Sequence, residues 1–255
     1  MVNLDIYSLV LACGVAIVAG LVGSFALMKR MSLAGDVASH IALPGIGIAL
    51  LIKINPVFGA AATLLLGMLL IWQLEKKSSL ATDTAIGVAF TASIALGVLL
   101  TPREDLLDTL FGTFSSTSLA SFIISVVFIV AAGLTIFALR HKLLLSVFSP
   151  ELATSSGINV SRTNLIYFLL FALTLLLGIQ FFGTALVGAM IIAPAAAARQ
   201  IGSNLGSFLF FSAFFGVAAV LSGFIIAASY GLVLGPTIVA VSAVIFGLSL
   251  LVRRK

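Results

Sequence analysis

An aspartate and a histidine four residues apart, Asp36 and His40, are the side chains of this sequence best suited to metal chemistry. Residues four apart share one face of a helix, so the pair would present an oxygen and a nitrogen ligand together. Such ligands suit zinc, manganese or ferrous iron. The alternative is structural: Asp36 caps a helix start and His40 makes a buried hydrogen bond. Two ligands do not complete a metal site, but a dimer would supply the pair twice around a shared axis.

The composition places this pair inside a membrane. The 255-residue chain is 62% hydrophobic and 8% charged, with a mean hydropathy of +1.31, whereas soluble domains are about 45–50% apolar and about 25% charged. Ionisable side chains within a bilayer are costly and usually face a water-filled path or the bundle interior. Asp36 and His40 are therefore candidates for lining an ion path.

The apolar runs predict an all-α, polytopic transmembrane helical bundle that forms one domain over residues 1–255. A spanning helix needs about 20 apolar residues, and nine runs qualify: 5–28, 34–52, 56–74, 84–101, 116–139, 163–181, 183–199, 206–230 and 235–252. The sixth and seventh runs are separated only around Gly183. Eight spans with a re-entrant segment are therefore the alternative to nine.

The basic residues predict the orientation of the chain. If the N-terminus lies outside, all of the 13 Lys and Arg residues except Lys53 and Arg103 face the cytoplasm, as the positive-inside rule requires. The C-terminal residues 253–255 then lie inside. The outer segment 102–108 is acidic on balance, which favours cations at the outer mouth. The net charge of +5 reflects this topology and does not indicate nucleic-acid binding.

Residues 149–160 predict a short cytoplasmic helix. Ser149 or Ser146 can cap its start, Pro150 suits its first turn, and Gly157 suits its end. One interpretation is a docking element for a cytoplasmic partner, and the other is a plain connecting loop.

Two prolines mark candidate kinks or gates, Pro44 after His40 and Pro194 within the small-residue run 186–199. Proline removes a backbone hydrogen bond and kinks a helix, and Pro44 would free a carbonyl beside the Asp36–His40 pair. Small residues suit close helix contacts or a gate, although ordinary tight packing explains them equally well. Asp83 is expected to cap the fourth span, with a supporting role beside the path as the alternative.

The sequence contains no phosphate-binding loop of the G-x-x-x-x-G-K-[ST] type, and no catalytic triad is evident. The chain is therefore expected to be a transport subunit and not an enzyme. If transport is driven by ATP, another chain hydrolyses it.

In these motifs the chain resembles the metal-ion ABC transporter permeases that carry zinc, manganese or ferrous iron, the ABC-3 family. The matching stretches, in order and spacing over nearly the whole chain, are 29–32 with Gly35, Asp36, His40 and Gly45, then 83–87, 110–112, 149–153 with 157–160, and 194–199.

The resemblance implies a homodimeric permease, with the fold of vitamin B12 and siderophore importers, in the cytoplasmic (inner) membrane of a prokaryote. Asp36 and His40 would line the translocation path of a divalent ion, and no cofactor would be permanently bound. An extracytoplasmic metal-binding protein would deliver the ion, and membrane lipid would surround the chain. ATP-binding cassette subunits would dock on the helix that contains Pro150, Glu151, Leu152, Ala153 and Gly157.

Three rival interpretations are weighed against this one. A permease for a chelated or organic ligand, such as heme, cobalamin or a siderophore, needs a wide apolar path, and the Asp36–His40 pair argues against it. An ATP-independent ion carrier or channel would leave the 149–160 helix without a role. A scaffold protein would leave His40 unexplained at mid-depth.

Overall fold

The computed structural model describes residues 6–31, 34–77, 82–100 and 119–252, and within these ranges the regular secondary structure is helical. The helices are α1 (Ile6–Met28), α2 (Ala34–Ser39), α3 (Ala42–Leu51), α4 (Pro56–Lys77), α5 (Thr82–Leu100), α6 (Leu119–Phe148), α7 (Pro150–Ser155), α8 (Val160–Phe182), α9 (Val187–Ile201), α10 (Leu205–Tyr230) and α11 (Leu234–Leu251).

The predicted transmembrane bundle is confirmed. Seven of the described helical segments are long and apolar enough to cross a bilayer, counting the broken segment Ala34–Leu51 as one. Two shorter apolar helices, Ile86–Leu100 and Val187–Ile201, accompany them, in keeping with eight to nine spans. The doubtful boundary at Gly183 is a true break, because this glycine has a φ of 74° between α8 and α9.

Helix α6 continues past the expected span end at residue 139 and runs through the basic residues Arg140 and Lys142 to Phe148. No glycine or proline follows Gly133 until Pro150, so nothing in the sequence stops the helix earlier. The extension carries the chain beyond its apolar stretch and delivers it to α7.

Helix α1 forms the centre of the bundle and packs against α6, α8, α9 and α10. Lipid tails provide no hydrophobic drive for helices to associate, so close packing and interhelical hydrogen bonds hold them together. One such bond joins α10 to α1, where the buried Ser212 hydroxyl donates to the carbonyl oxygen of Gly20 at 2.6 Å.

Helices α3, α4 and α5 pack against one another as a second unit. This unit meets the rest of the bundle mainly where α4 packs on α8, and there the Trp72 indole nitrogen donates to the carbonyl oxygen of Ser161 at 3.0 Å. The segment with Asp36 and His40 joins the two units.

Candidate functional site

The segment that carries Asp36 and His40 is broken at the histidine. Helix α2 ends at Ser39, residues 40 and 41 form a turn, and α3 begins at Ala42. Pro44 explains the break, because its ring clashes with the carbonyl four residues earlier, that of His40. This carbonyl instead accepts a hydrogen bond from the Leu43 amide nitrogen at 3.1 Å. Asp36 and His40 therefore do not share one continuous helix, and Pro44 does not leave the His40 carbonyl free.

Asp36 lies in the first turn of α2, on an exposed surface. Its neighbours there are small or apolar, and together they line an open groove of about 550 Å³. The groove is formed by Asp36 with Gly188, Ala189, Ile192, Ala193 and Ala196 of α9 and with Ala243 and Phe246 of α11. A carboxylate beside a groove of alkyl side chains is costly in lipid, so this face suits an ion path or a protein partner.

Two glycines set the position of Asp36 against α9. The Cα of Gly188 lies so close to α2 that a Cβ on Gly35 would be only 3.2 Å from it. A Cβ on Gly188 would collide with the backbone of Asp36 itself. Backbones approach this closely only where side chains are absent, so the small-residue run predicted from 186–199 serves here as a close helix contact.

The His40 imidazole is half-buried and faces a different neighbour. Its ring centroid lies 5.4 Å from that of Phe90 on α5. Its Nδ1 atom is buried and has no hydrogen-bond partner within the described ranges. Buried polar atoms without a partner are rare, and a neutral imidazole nitrogen is a common metal ligand. The alternative in which His40 makes a buried hydrogen bond is therefore not supported at its Nδ1 atom.

Asp36 and His40 are not joined by further ligands in the described part of the chain. Across residues 6–31, 34–77, 82–100 and 119–252, no group of three or more His, Cys, Asp or Glu side chains could hold a metal ion. A pair of protein ligands alone gives weak binding, which suits an ion that must be released.

The predicted short helix after α6 is present. The Ser149 hydroxyl caps α7 by accepting from the Leu152 amide nitrogen at 3.4 Å, and Pro150 occupies the first turn. The helix is closed where the Ile158 amide nitrogen donates to the Ala153 carbonyl at 2.9 Å and Gly157 adopts a φ of 76°. Ser146 is not the cap, because its hydroxyl donates to the Lys142 carbonyl at 2.7 Å.

Helix α7 presents one face outward. Ala153 is fully buried, whereas Pro150, Glu151 and Leu152 are exposed, and Leu152 retains 59% of its accessible surface. Helix α7 is therefore a short capped helix that presents an exposed leucine beside a carboxylate on the surface of the bundle.

Comparison with known proteins decides the family. The sequence model of the ABC 3 transport family matches residues 2–253, nearly the whole chain. This chain belongs to the ABC 3 transport family.

Curated relatives of this ABC 3 family chain are named as membrane subunits of metal uptake systems. The manganese import system permease protein ScaB of Streptococcus parasanguinis is 35% identical over 252 residues, covering 97% of this chain and 90% of that protein. The high-affinity zinc uptake system membrane protein ZnuB of Haemophilus influenzae is 30% identical over 239 residues, covering 91% of each chain. These names confirm the predicted transport subunit, as opposed to an enzyme.

A solved structure supports the same assignment. PsaBC from Streptococcus pneumoniae, in complex with Fab, matches with a TM-score of 0.82 and 32% identity, covering 95% of this chain and 89% of that chain. An inward-facing metal-chelate type ABC transporter shares the fold, with a TM-score of 0.73 at 19% identity. The expected fold class, an all-α ABC importer permease, is confirmed.

Several predicted positions of this ABC 3 family chain fall outside what the structure describes. Asp83 is the second residue of α5, but its side chain lies outside the described part. Residues 101–118 also lie outside the described residues, and they include the acidic outer segment 102–108 and the motif at 110–112. The basic residues 253–255 lie outside them as well.

Pro194, by contrast, is described. It is buried within α9, which continues through it to Ile201.

Sequence reasoning missed two residues of this site, Ser39 and Phe90. Ser39 lies inside the Asp36–His40 motif, so its place at the end of a helix broken by Pro44 offered a signal. The sequence offered no signal for Phe90, because nothing around it distinguishes it from the other phenylalanines among the 20 in the chain.

Proposed function

We propose that this chain is the permease subunit of an ATP-driven importer of a divalent transition-metal ion. The observation that carries the proposal is the Asp36 carboxylate at the edge of an otherwise apolar groove between α9 and α11. Family membership supports an importer, and the names of the relatives favour manganese or zinc over iron. An oxygen and a nitrogen ligand suit all three metals.

The groove becomes a path when a second copy of the chain covers it. Two Asp36 carboxylates then face a common axis, and the two His40 imidazoles, each packed on Phe90 outside the groove, bring the number of candidate ligands to four. The small side chains of Ala189, Ala193 and Ala243 leave room for an ion with part of its water shell. Large apolar side chains exposed on α4, α5 and α6 suit contact with lipid.

In the transport cycle, an extracytoplasmic binding protein releases the ion into an outward-facing cavity on the dimer axis. Asp36 and His40 hold the ion weakly, so it can leave on the other side. ATP-binding cassette subunits dock on α7, and the closure of these subunits moves α7 and, with it, α6 and α8. The spans then tilt, with Pro194 at the point where α9 lacks a backbone bond and Pro44 at the break between α2 and α3.

The cycle requires the N-terminus outside and the C-terminus inside, with residues 1–255 acting as one membrane domain. This orientation places α7 in the cytoplasm beside Arg140, Lys142 and Arg162, in agreement with the positive-inside rule.

Metal uptake in cells that express this chain with its ATPase and binding protein tests the proposal. Manganese, zinc and iron are measured by elemental analysis for the wild type and for Asp36→Asn, which removes the charge but keeps the shape. His40→Ala is the second variant. We expect one metal to accumulate in wild-type cells and neither variant to support that accumulation, although both assemble with the ATPase.

Two outcomes contradict the proposal in different ways. Wild-type uptake in Asp36→Asn would remove Asp36 from the ion path. No metal accumulation in wild-type cells, with the complex assembled and hydrolysing ATP, would favour a permease for a chelated or organic ligand.

A further inference from the structure

Ser39 connects the segment that carries Asp36 and His40 to a turn that is distant in the sequence. It is the last residue of α2 and is fully buried. Its hydroxyl oxygen lies 2.5 Å from the carbonyl oxygen of Thr184, in the turn between α8 and α9, and 2.6 Å from the carbonyl oxygen of Asp36. A hydroxyl has one proton to donate, so these two acceptors share it. The bond to Thr184 ties the end of α2 to the turn that leads into α9.

Helix α2 depends on such contacts for its position. It has six residues, and a helix of this length has almost no stability of its own. Its start is held by the backbone contact between Gly35 and Gly188, and its end is held by the Ser39 hydroxyl. Both contacts lead to α9 or to the turn before it.

On the other side of the break, the chain belongs to a different packing unit. Helix α3 packs on α4 and α5, and a Cβ on either Gly45 or Gly59 would collide with the backbone of the other. A Cβ on Gly97 of α5 would collide with the Cβ of Leu43. Helix α2 packs mainly on α9 and less on α5 and α8. The turn at residues 40 and 41 therefore joins a helix held mainly by α9 to a helix held by α4 and α5.

We propose that Ser39 is a positioning residue for ion transfer: its hydrogen bond to the Thr184 carbonyl holds the end of α2 on the α9 side of the break and so sets where His40 lies relative to Asp36. This inference rests on the proposed function. Without the hydroxyl, the start of α2 stays on Gly188, but its last residues follow α3. The Asp36 carboxylate and the His40 imidazole then lose their fixed separation, and an ion that reaches them is passed on less efficiently.

The chain provides a matched control for this idea. Ser212 is also fully buried and also donates to a backbone carbonyl of another element, that of Gly20 at 2.6 Å. It joins α10 to α1, and neither of these helices is a main packing partner of α2. Ser39→Ala and Ser212→Ala therefore each remove a buried hydroxyl that donates to a backbone carbonyl distant in the sequence.

The test measures Mn²⁺ imported per ATP hydrolysed by the complete complex in proteoliposomes, with saturating Mn²⁺-loaded binding protein. A buried hydrogen bond typically changes an equilibrium by about three- to tenfold. We expect Ser39→Ala to lower the ratio of Mn²⁺ to ATP by about that factor, with the ATPase rate unchanged. Ser212→Ala keeps the wild-type ratio, because its bond affects only stability.

Each other outcome overturns the inference. Equal ratios in the two variants would make Ser39 an ordinary packing residue, and so would a parallel fall of import and ATP hydrolysis. Failure of Ser39→Ala alone to accumulate in the membrane would make the hydroxyl a folding requirement. Any of these three outcomes rejects the role of Ser39. The proposed function still stands in that case if the wild type imports Mn²⁺ and Asp36→Asn does not. If the wild-type complex transports no metal, the proposed function and the role of Ser39 are both rejected.

Discussion

Pro44 follows His40 by four residues, and the helix that carries Asp36 ends immediately before that histidine. The proline ring excludes the helical position of the His40 carbonyl, so the chain turns there and starts α3 at Ala42. The break separates the two metal-ligand candidates into α2 and the following turn. It also allows Pro44 to sit in the first turn of a new helix, where its missing amide is tolerated.

Replacing this proline should join the two helices. In Pro44→Ala the amide of residue 44 can bond the His40 carbonyl, so α2 and α3 become continuous and His40 rotates away from its present position. We expect metal uptake to fall sharply while thermal stability is kept, because alanine is a good helix former and the change removes no hydrogen bond. Elemental analysis and the thermal midpoint of the purified complex measure these two effects.

Pro236→Ala is the matched control for this substitution. Pro236 is the third residue of α11, as Pro44 is the third residue of α3, but no metal-ligand candidate precedes it. We expect near wild-type uptake in this variant. Uptake in Pro44→Ala equal to that of Pro236→Ala would show that the break at His40 is unnecessary for transport.

The contact of α2 with α9 gives a second prediction. In Gly188→Ala the new methyl group meets the Asp36 backbone, which cannot yield as a side chain would. Overpacking of this kind costs about 1–3 kcal/mol, so the thermal midpoint should fall and uptake should fall with it.

Gly133→Ala on α6 is the control, because a Cβ there meets nothing within 4 Å. It should be neutral or stabilising by about 0.5–1 kcal/mol, as alanine is favoured over glycine within a helix. If Gly188→Ala proves as stable and as active as Gly133→Ala, α2 is not held against α9.

The parts of this molecule that depend on neighbours in the sequence were predictable. Ser149, Pro150 and Gly157 act within one short helix, so their types alone predict where α7 starts and ends. The break at His40 also had a local signal in Pro44, since a proline excludes helical bonding to the residue four before it. The expectation of a shared helix face failed because helical periodicity was extended to His40, although Pro44 ends the helix at Ser39.

The contact between Gly35 and Gly188 was not predictable in the same way. A glycine shows that a backbone can be approached, but it does not show by which partner. The predicted run 116–139 ended before the end of α6 for a different reason. Arg140 and Lys142 mark where a membrane ends, whereas a helix continues until a residue stops it. Long-range contacts and helix ends beyond the bilayer therefore required the structure.

The exposed face of α7 gives the last prediction, which concerns the ATPase. Leu152 is 59% exposed beside Glu151, and burying a leucine against a partner contributes about 1.5–3 kcal/mol. Leu152→Ala should therefore weaken binding of the ATPase subunit to the permease by about tenfold or more, measured by co-purification and by titration in detergent. Leu145→Ala is the control, because Leu145 is also an exposed leucine, at 37%, but lies on α6 outside α7. Equal ATPase affinity in the two variants, with transport intact, would mean that the ATPase docks elsewhere.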